Sequence, residues 1–401
     1  MTARLNIMSP EVHADPYPFY AELRRSSPVC QVDPGGIWAV SRYADVITVL
    51  RDPQTFSSMA WTERVSPPWL KRNPLAESLF VLDPPAHTRH RDLINPSLSS
   101  GTVDGMEPHM RGVAEQLTGP LLQKAAEGEV EFVAEFAAPM AASAVGTVLG
   151  LPPVLYPRFK HWTASVFSVS ANHHSPEQIA TIQSNLAEME HYFGVYFEKR
   201  RREPTNDLVS RLLEGTVEGK PLTQEQMMSF LFILLPGGLE TTTTVLGDTM
   251  IMLARHPDVL RRVRADHALI PRLVEEVMRF ESTAHTVFRR AQRTTELSGT
   301  TIPEGAMVVC LIGAANRDEQ QFPQADQFLI DREKNHHLSF GHGAHHCVGA
   351  FLGRMSSRVA LETLLPHIDE ITIGPQGFHR HHSLNARGPV SLPLRLGRAS
   401  N

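Results

Sequence analysis

The chain has 401 residues, 42% of them hydrophobic and 20% charged, a balance that excludes a disordered or fibrous protein and can fill a large core. Its formal net charge of −5 excludes the basic excess of a general nucleic-acid binder, so no nucleic-acid partner is expected. Three cysteines, Cys30, Cys310 and Cys347, are too few for a disulfide framework or for the four ligands of an iron–sulfur cluster. Any cluster that supplies electrons must sit on another protein. The first ten residues lack the basic-then-apolar pattern of a signal peptide, and no uninterrupted apolar run reaches the ~18 residues of a membrane span. A cytoplasmic protein with no membrane partner is expected.

No repeat, low-complexity tract or Gly/Ser linker divides residues 1–401, so one domain is expected. Residues 18–25 carry a helical pattern and residues 37–40 a strand-like one. From about Glu107 onward, long stretches place apolar residues at helical spacing, as in Phe132, Phe136 and Met140. Short strands are predicted over 294–309 and 371–396. The fold class that results is mainly α with small β-sheets.

The longest predicted helix opens on Thr223 and Gln226, a capping-box pair, and His256-Pro257 stops it. Apolar residues Met227, Phe230, Leu231 and Leu234 recur at helical spacing, and the pattern resumes at Leu246, Met250 and Leu253. Between the halves lie Pro236-Gly237-Gly238-Leu239-Glu240 and four threonines, Thr241 to Thr244. Pro, Gly and β-branched residues are poor interior helix formers. Two helices joined by a loop would satisfy Pro-Gly-Gly alone. The threonines, whose hydroxyls can bond carbonyls one turn earlier, predict one distorted helix that trades stability for a site.

The strongest chemical signal is Phe340-Gly341-His342-Gly343-Ala344-His345-His346-Cys347-Val348-Gly349. Glycines let a short loop approach a flat ligand closely. An amphipathic helix follows, with Phe351, Leu352, Met355 and Val359, so Cys347 falls at a helix N-terminus that favours a thiolate. Such a thiolate can ligate haem iron. A buried, inert cysteine and a zinc site from the neighbouring histidines remain alternatives. Consecutive ligands in one tight loop can hardly all face a single ion.

This loop resembles the haem-binding signature of the cytochrome P-450 family, Phe-Gly-x-Gly-x-His-x-Cys-x-Gly-x-x-Leu-Ala-Arg, with Gly353 where alanine is usual. Glu276 and Arg279 resemble the family's Glu-x-x-Arg pair, and Arg332 is a candidate for its third, basic member. Gly237-Gly238-Leu239-Glu240-Thr241 resembles the oxygen-activation motif, with Gly237 in place of alanine. Asp83-Pro84-Pro85-Ala86-His87-Thr88-Arg89-His90-Arg91 resembles the segment whose His and Arg meet a haem propionate. Asp15 to Tyr20, Ala315 to Asp318 and Arg387-Gly388 are lesser likenesses, all in the family's order.

The resemblance implies a cytochrome P-450 fold, haem b with Cys347 as iron ligand, and monooxygenation of a hydrophobic small molecule by dioxygen. Electrons would come from NAD(P)H through a separate reductase and ferredoxin. It implies propionate contacts from His87, Arg91, Arg289 and His345, with Arg290 competing for the place of Arg289. Gly238, Phe340 and Gly349 would complete the cofactor contacts. Reducing dioxygen at a haem consumes two protons in an otherwise dry pocket, and Thr241 backed by Glu240 would relay them. A back-bonded helix hydroxyl and a surface carboxylate are the plainer alternatives for that pair. A peroxide-driven oxygenase and a non-catalytic haem sensor are alternatives for the whole chain. Substrate would lie against residues 58–69, 167–174, 230–238, 284–288 and 384–386, with secondary-metabolite tailoring the leading expectation.

Overall fold

The structure is a computed structural model and describes residues 5–62, 66–169, 174–381 and 387–398. Helix α1 (Tyr17–Ser26) precedes the antiparallel pair β1 (Val29–Val32) and β2 (Ile37–Val40). After β3 (Phe56–Ser57) the chain turns helical: α2 (Ala86–Ile94), α3 (Glu107–Glu127), α4 (Ala138–Leu149), α5 (Tyr156–Ser168), α6 (Pro176–Arg202), α7 (Gln224–Arg255) and α8 (Ile270–Glu281). Strands β4 (Thr286–Ala291) and β5 (Met307–Leu311) complete a five-stranded sheet in the order β1-β2-β5-β4-β3. Helix α9 (Ala350–Leu364) follows the Cys347 loop and packs on α3. The hairpin β6 (His379–Arg380) and β7 (Pro389–Ser391) lies near the C-terminus, beside a sheet made of Val130–Glu131, Ile368–Ile373 and Pro393–Arg398. This is the expected mainly helical fold with small sheets.

The 32-residue α7 is the axis of the core and packs against α4, α5, α8 and α9. Its capping box is present as predicted: the Thr223 hydroxyl accepts from Gln226 N–H, and Thr223 N–H donates to Gln226 Oε1 at 2.9 Å. One α-helix runs unbroken through Pro236, Gly237 and Gly238, which settles the choice between one helix and two. Phe232 loses a backbone donor to Pro236, but burial of both flanking halves outweighs poor local propensity. By length and composition α7 could cross a membrane, although Gly, Thr, Glu and Asp interrupt its apolar residues. Of its most apolar window, 67% is buried inside this molecule, as in the core helix of a globular protein. The Phe132–Met140 periodicity also needs refinement, because a π-helical turn over Val133–Ala137 leads into α4.

Beside α7, helix α8 carries Glu276 and Arg279, both fully buried. Arg279 meets Glu276 through Nε and Nη2, each at 2.8 Å, and Arg332 Nε joins at 3.1 Å. Glu276 also accepts from Leu329 N–H and Asn335 Nδ2. Arg279 donates further to the carbonyls of Asn316, Ala325 and Gln327. Every charge has a partner, and the network ties α8 to the irregular chain that leads into the cysteine loop. Replacing one member strands a buried carboxylate. We therefore expect Arg279→Ala to lose about 3–5 kcal/mol of stability in urea unfolding.

Candidate active site

The cysteine loop is tied to α8 before it reaches Cys347. Leu338 N–H donates to Asn316 Oδ1 at 2.7 Å, and Ser339 Oγ donates to the carbonyl of Met278 at 2.6 Å. Phe340 is held under the Arg354 guanidinium, 4.3 Å from its ring centroid, while Arg354 pairs with Glu275 at 2.7 Å. The Phe340 carbonyl accepts Cys347 N–H at 2.7 Å, closing the loop. Gly341 and Gly343 have φ of +69° and +68°, the left-handed region that glycine enters without strain. A Cβ on Gly343 would lie 2.4 Å from the Leu50 carbonyl oxygen. That glycine thus serves close packing on the helix Tyr43–Arg51 rather than approach to a ligand.

Cys347 is exposed, yet protein surrounds it closely enough that desolvation pushes its thiol pKa up. The Gly349 N–H at the start of α9 and the Arg91 and Arg354 guanidinium groups act the other way. The expected helix-terminus effect is therefore real but outweighed. A bound metal ion would add to the groups that favour the thiolate. Zinc does not suit the loop, whose histidines turn apart: His342 Nε2 meets Arg51 Nε at 2.7 Å and His345 Nε2 meets Ser58 Oγ at 2.9 Å. Among the described residues no three His, Cys, Asp or Glu side chains gather as a metal site.

Next to the thiol, four basic side chains from three parts of the chain converge. The His87 ring on α2 packs against that of His345 with centroids 4.2 Å apart and planes tilted by 46°. Arg91, one turn after His87, donates to the Ala344 carbonyl, and Arg289 is buried on β4. Burial first, then Arg91, drives the His87 pKa down to about 4. Burial first, then Arg289, His87 and Arg91, drives His345 down to about 3. Arg289 thus acts on both histidines. His87 Nε2 is buried with no hydrogen-bond partner. Asp83 acts on His87 and Arg289, but its oxygens are occupied by the Ser57 hydroxyl and Ser58 N–H. Mutual repulsion and an orphaned nitrogen mark a place suited to further carboxylates.

Across α7, most side chains are buried, but Thr241 is exposed and Gly237, Gly238 and Glu240 are half-buried. The Thr241 hydroxyl donates to the Gly237 carbonyl at 2.6 Å, the back-bonded arrangement, while its position stays open. Burial pushes Glu240 up to about 7, so it is no ordinary surface carboxylate. A Cβ on Gly237 would meet nothing within 4 Å. On Gly238 it would press Val145 of α4 at 3.1 Å, so that missing side chain serves helix contact. Gly349, at the N-cap of α9, would place a Cβ 3.9 Å from Cys347 Sγ.

Of the stretches expected to line a pocket, residues 384–386 lie outside the described residues, as do 63–65 and 170–173. The structure joins two others, with the Trp69 ring edge-on to His174 at 5.7 Å and Gln183 donating to the Trp69 carbonyl. Ser58 falls in a stretch expected to line the pocket and Asn316 in one of the lesser likenesses, but their places beside the loop were not expected, and Glu275 was missed. A single polar residue carries no periodic signal, and only the fold brings it to the loop. His381, whose Nε2 stands 3.7 Å from Glu240 Oε1, was missed for the same reason.

The fold is helical, built round one long helix, and sets a cysteine beside a cluster of basic side chains. The cytochrome P-450 family model matches residues 17–369. The mycinamicin IV hydroxylase/epoxidase of Micromonospora griseorubida is 34% identical over 94% of each chain. Cytochrome P-450 107B1 of Saccharopolyspora erythraea is 33% identical over 90% of this chain and 89% of its own. The structure of CYP109Q5 from Chondromyces apiculatus superposes with a TM-score of 0.89 at 36% identity, covering 100% of both chains. The chain belongs to the cytochrome P-450 family: it is a monooxygenase-type oxidoreductase, and its cofactor is haem b.

Glu240 makes the stability of this site depend on pH. An unfolded glutamate ionises near 4.5, whereas the folded one keeps its proton to about 7. Between those values the folded state binds more protons, so stability falls as pH rises. Glu240→Gln should be more stable than the parent above neutrality by roughly 1–3 kcal/mol. The difference should vanish in acid, as thermal unfolding of the haem-loaded proteins across pH would show.

Proposed function

We propose that this chain, as a single haem domain in the cytoplasm, inserts one oxygen atom from dioxygen into a hydrophobic small molecule. Hydroxylation or epoxidation of a secondary metabolite is the class favoured, because a relative that matches over nearly the whole chain is a hydroxylase/epoxidase of mycinamicin IV. A separate ferredoxin and NAD(P)H-dependent reductase supply electrons, since three cysteines cannot build a cluster here.

The observation that carries the reading is the exposed Cys347 thiol beside four basic side chains, among which His87 Nε2 is buried with no hydrogen-bond partner. Those features fit a flat ligand with an iron centre and two carboxylates. Cys347 would ligate the iron, with Gly349 N–H and the closed Phe340 loop fixing its direction. His87, Arg91, Arg289 and His345 would meet the propionates by charge-assisted hydrogen bonds. Phe340, Gly349 and the half-exposed backbone at Gly238 would border the ring. When bound, haem supplies the centre at which dioxygen is reduced and one oxygen atom is passed to substrate. Thr241 holds a hydroxyl at the open middle of α7, and Glu240, one residue before it, holds a proton near neutrality. Together they pass protons inward from the outer side of the helix. Apolar α7 side chains keep the rest of the wall dry.

Two measurements test the assignment. The reduced, carbon monoxide-bound protein should show the red-shifted Soret band of a thiolate-ligated haem, and Cys347→Ala should abolish it while Cys30 and Cys310 substitutions leave it. Thr241→Ala should keep haem content and ligand affinity but divert electrons from product to peroxide. A variant that remains fully coupled would favour a sensor or another proton route.

Gly237 tests the shape of the pocket. Open space surrounds its absent side chain, so Gly237→Ala should weaken binding of large spectral ligands and leave small ones unchanged. A uniform effect across a size-graded ligand panel would remove this position from substrate choice.

A further inference from the structure

Glu240 lies between the interior of the molecule and its surface. Its side chain is 17% exposed, and on its outer side stands His381, 39% exposed, with Nε2 3.7 Å from Glu240 Oε1. These residues are 141 positions apart in sequence and meet only because the C-terminal hairpin lies along α7. The hairpin is firmly placed. Arg380, next to His381, pairs with buried Asp248 of α7 at 2.7 Å and with buried Glu281 of α8 at 3.2 Å. His381 N–H donates to the Gly388 carbonyl at 3.0 Å, and Arg387 joins Glu281 at 3.2 Å. Anchors on both sides hold the imidazole where the carboxyl of Glu240 reaches outward.

We infer that His381 is a positioning residue for proton delivery, which recharges Glu240 from solvent. The inference rests on the reading above that Glu240 and Thr241 carry protons inward. The imidazolium gives its Nε2 proton to Glu240 Oε1, so one N–H bond breaks and one O–H bond forms. The neutral imidazole then takes a proton from water at its exposed edge. No electrons move in either transfer. The gap of 3.7 Å closes by a small side-chain rotation or one bridging water.

The surrounding charges agree with this direction of transfer. Lys160 of α5 acts on His381 as a like charge, and Arg380 and Arg387 are engaged with Asp248 and Glu281. Among the described residues, His381 is the ionisable partner found for Glu240. Desolvation first, then Lys160, lowers the His381 pKa from its ordinary value, while burial holds Glu240 up at about 7. A proton therefore passes downhill from imidazolium to carboxylate, the condition for efficient relay.

Two readouts on the haem-loaded full chain test the relay. Ring-nitrogen NMR of the reduced, carbon monoxide-bound protein follows each histidine with pH, the His381 signal being the one lost in His381→Gln. In the parent the His381 ring signal should show a second inflection near pH 7, where Glu240 ionises beside it, and Glu240→Gln should remove that inflection. A His381 signal that is the same in both proteins overturns the pairing. The second readout is NAD(P)H-driven oxygen consumption with a surrogate ferredoxin and reductase and no organic substrate. His381→Gln should slow it about tenfold above neutrality and enlarge the solvent deuterium isotope effect, with haem content unchanged. A pH profile that overlies the parent's overturns the relay while leaving Glu240 in its proposed role. His381→Asn gives the same reading should glutamine disturb the hairpin. A parental rate in Glu240→Gln would overturn the underlying reading of Glu240, and the relay with it.

Discussion

The buried carboxylate of Glu276 is the constraint on which the site depends. It sits in the core with two guanidinium groups, an amide and a backbone N–H around it. Arg279 and Arg332 spend their remaining donors on carbonyls of residues 316–327, a stretch with little regular structure of its own. Paired charges in a core add little net stability, because desolvation offsets their attraction. Misplacing one costs far more. That asymmetry makes the network a device for specifying one path for the chain, and the path ends at the cysteine loop.

The loop inherits its position from that network. Asn316 accepts Leu338 N–H and donates to both Ser282 and Ser339, so α8, the irregular segment and the loop share one polar residue. Arg354 on α9 then closes over Phe340 from the other side. Rigid support of this kind keeps the Cys347 thiol in one orientation while it stays exposed. Burial, and after it the neighbouring cations, hold two histidines neutral, a local cost consistent with a site completed by an anionic cofactor.

Helix α7 shows the same exchange of local stability for chemistry. Proline, two glycines and four threonines weaken its middle, and packing of both halves holds it together. Gly238 admits close contact with α4, while Gly237 leaves space on the open side. The same segment places a hydroxyl and a carboxyl with a raised pKa on a helix that is otherwise largely apolar. Propensity alone reads this segment as a loop; tertiary burial makes it a continuous wall.

Much was legible in the linear chain because it depends on local order. The capping box at Thr223 and Gln226, the apolar periods of α7 and α9, and the cysteine loop are sequence-local features, and each appears where its spacing placed it. The Glu276–Arg279 pair was visible as an i, i+3 spacing, but nothing in that spacing distinguished a core network from a common surface pair. Burial decided it, and burial is a property of the whole fold. The nearness of Arg289 to His87 and His345 likewise required β4 to lie beside α2 and the loop. The raised pKa of Glu240 and its approach to His381 required the hairpin to lie beside α7. By itself the sequence determined the elements, the family resemblance and the candidate ligand. Only the tertiary structure decided which charges are buried, which are paired and which face open space, because desolvation and Coulomb energies depend on distances between residues far apart in the chain.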